Sequence, residues 1–82
     1  MGFNGSKLRA LRRERGLSKE QFAAQLFSFE TGGMTRVPTT QQVTGWEWGR
    51  YAPRFPTALR IARFFGVAAE ELDAPDEAEV DE

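Results

Sequence analysis

The chain contains no cysteine and no histidine. Those two absences exclude disulfides, thiolate and imidazole metal ligands, and catalysis that uses histidine as base or cysteine as nucleophile. Lack of cysteine also fits a reducing compartment. No apolar run reaches the roughly 18 residues of a membrane helix, and the residues from Met1 to Ser6 lack the apolar stretch of a signal peptide. No internal repeat is present, and 82 residues leave room for one small domain and not two. Serine, threonine and glutamate are present, but no carboxylate pair falls at a convincing catalytic spacing. The expectation is a cytoplasmic protein that is not an enzyme, carries no cofactor or metal, and makes no use of a membrane.

The net charge of −1 conceals an asymmetry. All 11 basic residues fall between Lys7 and Arg63, and residues 1–72 contain only six acids, a charge of +5. The other six acids, Asp73, Asp76, Glu77, Glu79, Asp81 and Glu82, close the chain. A basic domain attracts polyanions over about a Debye length. The composition divides the chain into a domain at 1–74 and an acidic, disordered tail at 75–82.

Two helix-opening signals organise the domain. Ser18 and Gln21 form a capping box, in which a hydroxyl accepts from an amide three residues on and the glutamine side chain reaches back. Thr39 and Gln42 form a second one. The first box opens a helix with Phe22, Ala23 and Leu26 inward. The second opens a helix over Thr40 to Trp48, with Val43 and Trp46 inward and Gly49 as its terminator. A further helix precedes these, capped by Ser6 and stopped at Gly16. A fourth runs from about Phe55 to Phe65, with Pro56 tolerated in its first turn and Gly66 at its end. Ala68 to Leu72 make a short fifth. Gly45 inside the third helix costs up to about 1 kcal/mol against alanine, which marks a close approach or simple tolerance. The fold class is all-α, and the order of the two boxes fits a helix-turn-helix, whose second helix enters the DNA major groove.

With Leu8–Arg9–Ala10–Leu11–Arg12–Arg13–Glu14–Arg15–Gly16–Leu17–Ser18, Phe22–Ala23–Ala24–Gln25–Leu26 and Val43–Thr44–Gly45–Trp46–Glu47–Trp48–Gly49–Arg50, then Pro53 and Leu59 to Leu72, the chain resembles the lambda-repressor-like (Cro/repressor-type) helix-turn-helix domains. The resemblance implies a compact five-helix domain. One departure is large. Thr39 follows Leu26 by thirteen residues, so the turn carries an insertion of roughly nine or ten residues around 27–38, which loop-closure entropy tolerates. Either the angle between the two helices changes, or a longer second helix and a surface loop preserve it.

The resemblance also implies roles. Thr39, Thr40 and Gln41 stand where the family meets bases and phosphates: glutamine can pair with adenine, and a threonine methyl can touch thymine. Thr44 lies one turn on. Lys19 stands where the family often has a phosphate-bonding glutamine and can serve there as a point charge, with the Ser18 amide offered to the same phosphate. Arg50, Tyr51 and Arg54 belong to a connector that runs along the DNA backbone, with Arg54 in reach of the minor groove. Arg36 is a further groove or phosphate candidate. Arg12 and Glu47 match a partly buried ion pair. Phe55 and Phe65 match core positions, whereas Phe64 points elsewhere. Each DNA residue has a plainer alternative as a helix cap or a solvated side chain.

The function expected is a sequence-specific transcriptional regulator, a small phage or bacterial repressor that binds double-stranded operator DNA as a homodimer in a bacterial or phage-infected cell. Two alternatives stay open: an antitoxin that binds both DNA and a toxin, and a protein-interaction module on the same fold. A protein partner could use the 27–38 segment or the acidic tail.

Overall fold

The structure, a computed structural model, describes residues 2–30 and 34–74. The acidic segment 75–82 lies outside the described residues, and with it the disorder and the partner contact expected there. Four helices carry the fold: α1 (Gly5–Glu14), α2 (Lys19–Phe29), α3 (Thr40–Trp48) and α4 (Phe55–Phe65). The all-α class holds, with two additions. In place of a fifth α-helix, Ala69–Leu72 form a 3₁₀ turn. Two-residue strands β1 (Gly2–Phe3) and β2 (Asp73–Ala74) pair antiparallel, Gly2 opposite Ala74 and Phe3 opposite Asp73. The chain is extended again from Asp73, where β2 begins.

Local chemistry sets most helix ends. Both capping boxes form. Ser18 Oγ accepts from the Gln21 amide at 3.0 Å, and Gln21 Oε1 accepts from the Ser18 amide at 2.8 Å. Thr39 and Gln42 repeat the exchange at 3.0 Å each way. Gly49 and Gly66 close α3 and α4 at φ of 76° and 71°, a left-handed conformation that costs glycine little. The start of α1 differs from expectation: Asn4 caps it, its Oδ1 accepting from the Lys7 amide at 3.0 Å, and not Ser6. Asn4 is fixed from outside the helix, since its amide donates to the Leu72 carbonyl at 2.6 Å. Gly5 then lies so close to the end of α3 that a Cβ there would strike the Trp46 and Glu47 carbonyls.

The core centres on Leu8, Phe22, Leu26, Val43, Ile61 and Leu72, all but removed from water. Phe22 stacks on Phe65 with centroids 5.6 Å apart and meets Phe64 edge-on at 5.8 Å. Phe64 is therefore core and does not point elsewhere. The Arg15 guanidinium covers both rings, 5.0 Å from Phe64 and 4.9 Å from Phe65, so the aromatic edge is closed by a cation–π contact. Phe55 is the opposite correction. It is 73 % exposed, because it begins α4 two turns before Ala62 on the same face, past the edge of the core.

In α4, Arg60 and Arg63 hold the end of α2 and Glu30, where the α2–α3 connection begins. The last carbonyls of a helix have no partner within it. Here Arg60, almost wholly buried, supplies one: Nε donates to the Leu26 carbonyl at 2.9 Å, and Nη2 donates to the carbonyls of Phe27 and Glu30. The Glu30 carboxylate is gripped in turn by Arg63, at 2.5 and 2.8 Å. That hydrogen bond, with the nearby charges of Arg63 and Arg60, holds the Glu30 carboxyl below its ordinary range despite some desolvation. Further along, Met34 packs on the core and Pro38 is buried. The connection is thus held at both ends, and α2 and α3 still pack against each other.

Candidate nucleic-acid interface

A helix turns about 100° per residue, so the buried Val43 fixes the facing of the rest of α3. Gln41 lies about 200° from Val43 and points away from the core, and both it and Thr40 are exposed. Thr44 and Gln42 flank that outward face on opposite sides. On the Thr44 side, Lys19 Nζ donates to Thr44 Oγ1 at 2.9 Å. The bond joins the first residue of α2 to the outer face of α3, with the exposed Ser18 beside it. On the Gln42 side, Arg54 and Arg36 line a cleft of about 290 Å³.

Arg50 is separated from this group. It is exposed beyond Gly49, at the opposite end of α3 from Thr40, a helix about 13 Å long at the usual rise per residue. From there the chain folds back. Tyr51 donates its hydroxyl to the Gln41 carbonyl at 3.1 Å, and its ring fills the space beside Gly45. The close approach at Gly45 is therefore made by the protein's own tyrosine, which covers that stretch of backbone.

Beneath this face, Arg12 Nε donates to Glu47 Oε2 at 2.6 Å and Nη2 donates to Oε1 at 3.2 Å. The remaining Nη1 donates to the Leu17 carbonyl at 2.8 Å. One fork thus ties α1, the turn that leads into α2, and the back of α3. Because the arginine neutralises it, Glu47 adds no unpaired negative charge under the exposed side. Trp46 is buried, whereas Trp48 stands out to solvent with the Arg9 guanidinium 5.9 Å above its ring.

Thr40, Gln41, Thr44, Ser18 and Lys19 therefore share one surface, Thr39 caps the start of α3 beside it, Arg54 edges it, and Arg50 lies at the other end of α3. The sequence placed Tyr51 only in the connector along the DNA backbone, not against α3, and gave Arg60 no role. Gly45 was the signal for Tyr51, since an interior helix glycine asks what takes its space. For Arg60 no local signal exists. Among the described residues no helix is long and apolar enough to cross a membrane.

Two packed helices, each opened by a capping box, with the second presenting a polar, uncovered start, define a helix-turn-helix, a DNA-binding class of fold. Compared with known families, residues 5–74 match the helix-turn-helix domain, and the chain belongs to that family. No curated protein matches it.

Proposed function

We propose that the protein is a sequence-specific DNA-binding transcriptional regulator that reads operator DNA as a homodimer and represses by occluding polymerase in the cytoplasm of a bacterial or phage-infected cell. The observation that carries this reading is Gln41, outward-facing on the first turn of α3 and flanked by the Lys19–Thr44 bond. Gln41, Thr40 and Thr44 would read base edges. Thr44 keeps its hydroxyl proton and methyl for DNA, because Lys19 uses only its oxygen as acceptor. Ser18, Lys19, Thr39, Arg50 and Arg54 would hold phosphates, which position the protein but do not specify sequence. A single module of this size covers few base pairs, and pairing two half-sites multiplies discrimination.

The test is a salt titration of binding to the gene's own upstream DNA against scrambled DNA of equal length. A steep salt dependence with clear preference for the native sequence supports the reading. Equal, weak binding to both overturns sequence specificity. A monomeric mass in light scattering, free and on DNA, removes the dimer.

A further inference from the structure

We propose that the α2–α3 connection supplies a phosphate clamp: Arg36, together with Arg54, grips a DNA backbone phosphate on the side of α3 opposite Lys19. The inference rests on the DNA-binding reading and adds a residue and a flank to it.

The first argument is placement. Arg36 comes from the connection and Arg54 from the residue before α4, yet both line one cleft with Gln42, the flank of α3 turned away from Thr44. Gln41 is thus bracketed, with Lys19 on one side and the two arginines on the other. B-DNA presents a major groove about 12 Å wide with a phosphate strand on each rim, and a helix with its side chains is about 10–12 Å across. A helix seated by Gln41 in that groove turns both flanks toward phosphates. Lys19 serves one rim, and the cleft faces the other.

The second argument is chemistry. Among the described residues, the other arginines near packed surfaces are already engaged: Arg12 and Arg63 by carboxylates, Arg60 by carbonyls, Arg9 and Arg15 by aromatic rings. Among the described residues, Arg36 and Arg54 hold no carboxylate, and no acidic residue lines their cleft. Thr35 and Thr57 line it as well, residue types whose hydroxyls can donate to an anion's oxygens. The guanidinium fork matches the paired oxygens of a phosphate, where lysine would act only as a point charge. The buried Pro38 and the core contact of Met34 flank Arg36 and fix where the segment that carries it lies.

The experiment uses the full chain and the upstream duplex. Dissociation constants are measured across salt for the wild type, Arg36→Gln, Arg36→Lys, Arg54→Gln and the double glutamine variant, with thermal melts to verify folding. Each lost phosphate contact reduces the slope of log K against log salt by about 0.9. Arg36→Gln should lower the slope by about one and weaken native and scrambled DNA alike. Arg36→Lys should keep the slope, and the double variant should lose about two. An unchanged slope in Arg36→Gln, with wild-type binding intact, overturns the clamp alone. Inorganic phosphate bound by the wild type and not by Arg36→Gln, with duplex affinity equal in both, assigns the cleft to a free anion and also overturns it. A wild type that binds no duplex at any salt overturns the DNA-binding reading itself.

Discussion

The Tyr51 ring stands where a side chain at Gly45 would be, and its hydroxyl reaches on to the Gln41 carbonyl at 3.1 Å. The chain after α3 is thereby bound back onto the helix it has just left. A glycine that weakens the helix makes the return possible, and the ring fills the gap it leaves.

Gly45→Ala should therefore change stability with a size that depends on residue 51. Alanine adds up to about 1 kcal/mol of helix propensity, but in the wild type it must displace the tyrosine ring. In a Tyr51→Ala background the space is free and the gain should be nearly whole. Urea denaturation of the four proteins should show a coupling of about 1 kcal/mol, within the usual range for residues in contact. Equal effects of Gly45→Ala in both backgrounds would mean that the ring does not hold this place. Gly5→Ala offers the contrast: the obstacles are backbone carbonyls, which cannot swing aside, and overpacking of that kind costs about 1–3 kcal/mol or more.

The Arg12–Glu47 pair predicts an asymmetry. The Glu47 side chain is 1 % exposed and the Arg12 side chain 11 %. Arg12→Ala strands a carboxylate with almost no access to water, whereas Glu47→Ala leaves an arginine that still donates to the Leu17 carbonyl. Breaking a buried pair from one side costs about 3–5 kcal/mol, and Arg12→Ala should be the worse of the two. Arg12→Met/Glu47→Leu should be more stable than either single variant, since it buries no unpaired charge. Denaturation midpoints for the three variants decide the order.

What the sequence made legible was whatever is decided within a few residues. The capping boxes at Ser18–Gln21 and Thr39–Gln42 join side chains to amides three positions away, and the stops at Gly49 and Gly66 depend on one residue's backbone. Contacts across the chain were less readable. Asn4, not Ser6, begins α1 because Leu72 holds its amide. Phe55 and Phe64 exchange their expected places because burial depends on where the core ends, and periodicity does not carry that. Arg60 looks like any charged residue on α4, and its role exists only once the end of α2 lies beside it. The candidate surface was legible in part for the same reason. Thr40 and Gln41 follow a cap, but the Lys19–Thr44 bond and the shared cleft of Arg36 and Arg54 are products of packing.

Glu30 predicts a pH dependence. Arg63 holds its carboxyl below the ordinary range, so the folded protein binds the proton less readily than the unfolded chain. The stabilisation is complete above the unfolded value, roughly pH 4.3 for glutamate, and disappears as pH falls through the lower folded value. The wild type should melt above Glu30→Gln at neutral pH, by a margin that shrinks below about pH 4 and then vanishes. Because the pair is open to solvent, added salt should narrow the margin. A margin that persists unchanged at acid pH would show that Arg63 holds Glu30 by something other than charge.

Gln41 and Lys19 separate specificity from affinity. Gln41 faces outward with its side chain uncommitted, so Gln41→Ala should remove a base contact and leave phosphate contacts in place. The preference for native over scrambled DNA should fall by about 1–3 kcal/mol, with little change in salt slope. Lys19 is different, since its ammonium group already touches Thr44 and has two further protons to offer a phosphate. Lys19→Gln should lower the salt slope by about one and weaken both DNAs equally. One complication follows from the bond itself: without Lys19, Thr44 loses a neighbour that orients its hydroxyl. If Thr44 reads a base, Lys19→Gln will also cost some preference, and Thr44→Val will cost the same amount. If Thr44 only seats the lysine, Thr44→Val will reproduce the loss of slope and leave the preference intact. Competition binding at two salt concentrations with these three variants distinguishes the two roles.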